Sequence, residues 1–368
     1  MHTAGAGLPG VRGVHGARFA CQGCGFCCRF HQLGPMSPQD RARIADSHPE
    51  TWWPPAAAGW SRTGPAGVEL RKLDGHCVFL DADQRCALHA RLGAQAKPMF
   101  CRLFPYQLVE DAEGVAIIVR DSCGGLHHGG GPLVEDSGEE LLGMAREGGA
   151  LLRWGPASVA IAPGWEVPLD TWMGWERALL TWLQDAPGDA AALVAGLRDR
   201  LCAWGDRHLP APDPARGHLA TRAVLMALDL TLDQVSAQEV APSPAEAAFV
   251  ADLHGRVRRA AASHERGEAL TMSPPVADYA RERLAHALLG KEVHRQDGLL
   301  VGLGRHLLAL DLAARTADGP TLGHFAHAHS RIVRFVENRS IHHVLGRARP
   351  ALHDLAVHAT GAGATGPA

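Results

Sequence analysis

Eight of the nine cysteines in this 368-residue chain fall in its first third, at Cys21, Cys24, Cys27, Cys28, Cys77, Cys86, Cys101 and Cys123. The first four form Cys21-Gln-Gly-Cys24-Gly-Phe-Cys27-Cys28. A tight turn can aim thiolates at two-residue gaps towards one point, and ferredoxin-type loops hold iron–sulfur clusters in this way. Gly23 and Gly25 can take the positive φ that such a turn needs. Cys27 and Cys28 are neighbours, so their side chains must diverge. One can join the ladder while the other faces a second site or the core. The remaining four cysteines come singly. Structural zinc sites usually draw on two C-x2–4-C pairs, and only the first segment supplies such pairs. That tilts the donor set towards an iron–sulfur cluster, in the first instance of the 4Fe-4S type. Soft thiolates suit zinc as well, so both metals stay open. Eight thiolates could fill two four-ligand sites, or one site with further thiols packed behind it.

Other thiol chemistries compete with this reading. Residues 1–18 are Gly/Ala-rich without an apolar run of signal-peptide length, and no stretch of about 18 apolar residues follows. The expected location is cytoplasmic. Thiols stay reduced there, so clustered cysteines read as metal ligands before disulfides. A redox-active Cys21/Cys24 pair would want a βαβ context that the flanking residues lack. Cys202 fits a buried, inert thiol. His89 follows Cys86 by three residues and could complete a site, but among 22 histidines such a residue is more often solvated or capping.

Further patterns are weaker. His324, His327, His329, His342 and His343 cluster, but His324 and His327 are three apart and lack the glutamate of H-E-x-x-H. Gly361-x-Gly363-x-x-Gly366 matches a dinucleotide fingerprint by letter, yet it follows no strand and opens no helix. A C-x3-C-x2-C radical motif fails because position 31 is His31, and no Rossmann methyltransferase signature appears. Asn338-Arg-Ser340 is a sequon without a secretory context. Asp81 and Asp83 begin a calcium-loop pattern that does not continue.

The elements that must hold the cysteines are short. Ser37-Pro38-Gln39-Asp40 reads as a helix start, with a cap, a proline at the first position and an acid at the third. Val68–Leu73 and Cys77–Leu80 read as strands. Tyr106–Val109 and Val115–Val119 flank a turn ending in Gly114, a hairpin signal. From about Asp136 the chain reads as helical. Asp170 is expected to cap a helix whose Trp172, Trp175, Leu179 and Trp182 share a core-facing stripe. Further helices are expected at 218–234, 244–264, 275–290, 294–316, 321–345 and 349–359. The fold class is therefore α+β, mainly α. A flexible N-terminus (1–18) precedes a cysteine-cluster metal-binding domain with short strands (19–131), an all-helical domain (132–360) and a disordered tail (361–368). With 46% hydrophobic and 20% charged residues, a sizeable core is available. A net charge of -3 and the absence of a basic run point away from nucleic acid and from an anionic membrane surface.

Taken in order, Cys21-x2-Cys24-Gly-x-Cys27-Cys28, Cys77-Val-Phe-Leu80, Cys86-Ala-Leu-His89, Lys97-Pro98-x2-Cys101-Arg102-Leu-Phe-Pro105 and Cys123-Gly resemble the CxxCxxCC (YkgJ-type) cysteine-cluster family over about Phe19–Gly124. The resemblance implies zinc or iron chelation. Many members carry Arg-Pro where this chain has Lys97-Pro98, and the Cys86–Cys101 gap holds an extra Leu92–Ala96 stretch. That longer form, with Arg334-Phe335-Val-Glu337-Asn338, is distantly similar to flagellin lysine N-methylases. Three functional classes follow. The chain is a metal-binding protein for electron transfer or sensing, a methylase-like enzyme acting on a protein lysine, or a fold stapled by metal. In the first two, the helical domain would meet a protein partner or substrate.

Overall fold

The computed structural model describes residues 10–31, 33–64, 67–123, 125, 130–236, 244–268, 272–294, 298–336 and 345–360. The cysteine-bearing part opens with β1 (Val11–Gly13), α1 (Phe26–Phe30), α2 (Pro38–Asp46) and α3 (Pro49–Trp52). Two small antiparallel ladders follow, β2 (Ser61–Gly64) with β3 (Gly67–Leu70) and β4 (Lys72–Leu73) with β5 (His76–Cys77). Then come α4 (Ala87–Leu92), α5 (Met99–Leu103), β6 (Tyr106–Asp111), β7 (Gly114–Val119), α6 (Gly138–Glu147) and β8 (Leu151–Arg153). After the hairpin of β9 (Ser158–Ala162) and β10 (Trp165–Pro168), the rest is helical. Its helices are α7 (Leu169–Asp185), α8 (Ala190–Trp204), α9 (Pro214–Ser236), α10 (Pro244–Glu265), α11 (Pro274–Leu289), α12 (Leu299–Thr316), α13 (Leu322–Val336) and α14 (Arg349–Val357).

A four-stranded sheet of order β1-β7-β6-β8 joins the two halves. Its central pair is the expected hairpin, with Asp111 opposite Gly114 and φ +119 at that glycine. Side chains alternate across the pleat. Val115, Ile117 and Val119 pack with Leu141, Met144 and Ala145 of α6 on one face, while Ala116 and Ile118 meet Leu289 at the end of α11 on the other. Both faces are thus covered.

The helical body is built around α12, where apolar residues occur on every side. Such a helix is driven to the centre of a core, and Leu299, Leu303, Leu308 and Ala313 are fully inaccessible. Gly304 lets α14 approach closely, since a Cβ there would lie 1.9 Å from the Leu352 carbonyl oxygen. In α7, Trp172 and Leu179 are buried as the stripe predicts, whereas Trp175 and Trp182 are half-buried.

Three expectations need correction. Residues 1–18 are not uniformly loose: Val11–Gly13 pairs in parallel with Val115–Ile117 at the sheet edge. There Arg12 binds Asp111 at 2.5 Å and Glu113 at 3.1 Å, a tertiary anchor that Gly/Ala-rich composition hides. The part after residue 131 is mostly rather than wholly helical. It sends β8 back to pair with β6 and folds β9 and β10 into a hairpin, because three- to five-residue strands carry little periodicity. The cap of α7 is Pro168, and Asp170 lies one step inside, its carboxylate accepting the Thr171 N–H at 2.7 Å. The 361–368 tail, with its glycine pattern, lies outside the described residues, as do His342, His343 and Asn338. No helix among the described residues is long and apolar enough to cross a membrane.

Candidate metal centre

Each cysteine segment is placed by an identifiable local device. Gly23 (φ +64) and Gly25 (φ +68) turn the chain twice in the left-handed region and deliver it into α1, which carries Cys27 and Cys28. Lys72 donates to the Arg29 carbonyl at 3.0 Å and so fixes that helix on β4. Cys77 ends β5, with the next carbonyl, that of Val78, held by Trp53 Nε1 at 2.7 Å. Cys86 bridges Leu80 and caps α4. The segment from Lys97 to Cys101 is held by α2, whose Ser37 cap accepts the Asp40 N–H at 3.0 Å while Asp40 accepts the Met99 N–H at 2.9 Å. Cys123 sits in the turn after β7.

These devices bring all eight cysteines to the wall of one cavity of about 1180 Å³. Every cysteine is a free thiol. Cys21 and Cys24 are exposed at the rim, Cys27, Cys28, Cys86 and Cys101 are half-buried, and Cys77 and Cys123 are buried. Cys202 packs on the helical core instead, half-buried rather than buried as expected.

The thiols influence one another across the cavity. Cys123 is affected by Cys21, Cys24 and Cys27, and Cys24 by Cys21 and Cys27. Cys28, Cys77 and Cys101 are affected by one another or by Cys86, and all three by Cys27. Cys27 acts on all of Cys24, Cys28, Cys77, Cys86, Cys101 and Cys123. It shares a hydrogen bond with Cys28, which pulls the Cys27 thiol below its ordinary range and pushes Cys28 far above it.

Main-chain N–H groups lie near several of the sulfurs: Phe26 at Cys24, Phe79 at Cys77, His89 and then Leu88 at Cys86, and Gly125 at Cys123. Such groups favour the thiolate. Burial opposes them and prevails, raising Cys24, Cys86 and Cys101, and pushing Cys77 and Cys123 up to about 12. Lys97 lines the same cavity, where burial works against its charge but Cys101, Cys21, Cys86 and Cys27 hold it protonated more firmly than usual. The metal-free site is thus a set of mostly neutral thiols around one ammonium, and loading it with metal must release protons.

The sign of the stability effect follows. A thiol raised in the fold contributes stability fully present below its unfolded value and lost as pH climbs through the folded one. Metal-free protein is expected to lose stability between pH 9 and about 12 as Cys77 and Cys123 ionise. Urea titrations across that window check it, and a flat midpoint would contradict it.

Sequence reasoning missed the partners of the Cys123 turn, which lie far along the chain. Ser330 Oγ on α13 donates to the Cys123 carbonyl at 2.9 Å. Arg283 on α11 donates to the Val119 carbonyl at 3.2 Å and to Asp121 at 3.3 Å. The Val119 N–H donates to His286 Nδ1 at 3.3 Å, which requires a neutral imidazole there. Burial, then Arg283, takes that histidine down to about 4, in agreement. Separations of more than 160 residues leave no local signal for such pairs. Lys97 did have a signal, the Lys-Pro step beside Cys101.

The other candidates divide. His89 lines the cavity mouth and is exposed. His329 is buried against Tyr279, His324 bonds Thr321, and the His327 ring lies 5.9 Å from Phe26, so these three do not form one site. Asp81 accepts the Arg85 N–H at 2.7 Å and serves a turn. Asp229, Asp233 and His254 come together between α9 and α10, where Arg258 pairs with both carboxylates.

Residues 20–124 match the family model described as "CxxCxxCC: Putative zinc- or iron-chelating domain". This segment is a CxxCxxCC domain. Neither a curated protein nor a solved structure matched the chain. The matched family is described by zinc or iron chelation, and the cysteine-rich wall of this cavity suits either ion by donor chemistry.

Proposed function

We propose that the CxxCxxCC domain is an iron–sulfur protein with two thiolate sets. Cys21, Cys24, Cys27 and Cys123 would form the rim set, and Cys28, Cys77, Cys86 and Cys101 the floor set. Sulfur spacing carries this reading. A zinc ion bonded to four sulfurs at about 2.3 Å holds them about 3.8 Å apart by tetrahedral geometry. Among the described residues, no three cysteine sulfurs lie mutually within 4.8 Å, although all eight line one cavity. An inorganic core of iron and sulfide keeps its thiolates further apart, and main-chain N–H groups at the sulfurs are among the features that set its potential.

The protein's own contributions are distinct. Of the floor thiols, Cys77 is buried and Cys28, Cys86 and Cys101 are half-buried, and together they close a region with little core of its own. Exposed Cys21 and Cys24 leave the rim set open to a partner or a reductant, which suits electron transfer or sensing better than a purely structural role. Lys97 offsets the negative charge that thiolates bring. A bound cluster would supply one-electron chemistry.

Anaerobic purification tests the reading. The expected product is brown, with iron and acid-labile sulfide in matching amounts. Colourless protein with stoichiometric zinc and no sulfide would overturn it.

A further inference from the structure

Among the described residues, three of the six large apolar side chains left exposed lie on α9: Leu219 at 61%, Met226 at 64% and Leu230 at 57%. With Ala223, also exposed, they step by four, three and four, so at about 100° per residue they form one stripe. Extending the same steps adds exposed Arg216 before the stripe and exposed Asp233 after it. The six positions, Arg216, Leu219, Ala223, Met226, Leu230 and Asp233, have the a/d spacing of a coiled-coil seam about 26 Å long.

This seam is self-complementary when reversed. Laid antiparallel on itself, it sets Arg216 against Asp233, Leu219 against Leu230 and Ala223 against Met226. The end layers then pair opposite charges, the next layers pair leucines, and the central layers set a small residue against a large one. Arg222 and Asp229, flanking the stripe on one side, come near each other across the same junction. A twofold axis needs one patch that matches itself, and this helix face meets that requirement.

We propose that α9 pairs antiparallel with α9 of a second copy of this chain, forming a symmetric dimer through these six residues. The charged side chains already have surface partners: Arg216 with Asp354 at 3.5 Å, Arg222 with Glu265 at 3.9 Å, and Asp229 and Asp233 with Arg258 at 2.9 and 3.2 Å. Exposed pairs of this kind are weak and can be shared with a second copy. A single helix pair is a small interface, so the dimer belongs in the micromolar range.

Sedimentation velocity on the full chain, from low to high micromolar concentration, tests the proposal. Wild-type protein should pass from monomer to dimer. Leu230→Glu should raise the dissociation constant by roughly 100-fold or more, because a symmetric contact loses the leucine twice. Arg216→Glu should weaken the dimer, and Arg216→Glu/Asp233→Arg should restore it, which reports the register. All these positions are exposed, and an unchanged circular dichroism spectrum verifies folding of each variant. A wild-type monomer throughout, a dimer indifferent to Leu230→Glu, or a failed charge swap would overturn the proposal. So would a monomer that floats with anionic phospholipid vesicles in a Leu230-dependent way, since the stripe would then serve a membrane surface.

Discussion

Lys291→Met is expected to lower the stability of the folded chain by about 3–5 kcal/mol, the cost of leaving buried charge without its partner. Whole domains are stable by only about 5–15 kcal/mol, so the variant should be close to unfolding on mild heating. The reason lies at the junction of sheet and helices. The Lys291 ammonium is 3.0 Å from Asp111 on β6, hydrogen-bonds Glu176 on α7 and lies 4.7 Å from the Trp154 ring centre. Side-chain exposure is 2%, 0% and 1% for Lys291, Asp111 and Glu176. The backbone at Lys291 is held at φ 58, unusual for a lysine, directly after Gly290, where a Cβ would strike Ile118.

Burial raises both carboxylates, but their partners offset it unequally. Burial raises Glu176, and Lys291 only partly offsets it. Asp111 is also raised by burial, but Lys291, the Glu113 N–H and Arg12 together take it below its ordinary value. Asp111 therefore contributes stability above its unfolded value of 3.8, lost as pH falls, while Glu176 favours the acid side. Removing the ammonium raises both groups, so they take up protons at higher pH. The deficit of Lys291→Met should be greatest at neutral pH and shrink on mild acidification. Urea unfolding at both pH values checks this. Lys291→Met/Glu176→Leu, which removes one stranded carboxylate, should recover part of the loss. A single variant within about 1 kcal/mol of wild type at neutral pH would show that the trio is not coupled.

What could be read from the sequence, and what could not, follows from the range of each interaction. The cysteine ladder, its two positive-φ glycines, the Ser37 cap and the Gly114 hairpin are local devices whose residues sit within a few positions of each other, and all were legible. Most of the long helices were legible because periodicity accumulates over their length, but no separate helix was expected at α8 (Ala190–Trp204). Convergence of Cys77, Cys86, Cys101 and Cys123 on the ladder could be expected only from their order, and the cavity they share is a property of the tertiary fold. The grip of Arg283, His286 and Ser330 on the Cys123 turn had no signature at all, because an isolated arginine, histidine or serine on a helix reads the same whether solvated or clamped. The first strand was lost for a related reason. Three residues in a Gly/Ala-rich segment show no pattern until Arg12 finds Asp111.

Metal-loaded Cys77→Ala and Cys21→Ser proteins are expected to differ sharply in fold while both lose metal. The floor of the site lies in a region of two- to four-residue strands and helices of nine residues or fewer. Its core holds ten buried residues, Cys77 among them. So little apolar burial leaves such a region marginal alone, whereas structural zinc in small peptides contributes about 10–16 kcal/mol at neutral pH. Loss of Cys77 should therefore open the segment between α1 and α5 to hydrogen exchange and proteolysis, leaving the α12-centred body protected. Alanine is chosen because serine would also bury a hydroxyl, at about 1–3 kcal/mol. Cys21 is exposed at the rim, so Cys21→Ser should lower metal content without opening that segment. Metal-free wild type supplies the reference. If Cys77→Ala is no less stable than metal-free wild type, its defect is loss of the ligand rather than of packing. Equal opening of the two variants would contradict the division into rim and floor sets, because a single site would then depend on Cys21 and Cys77 alike.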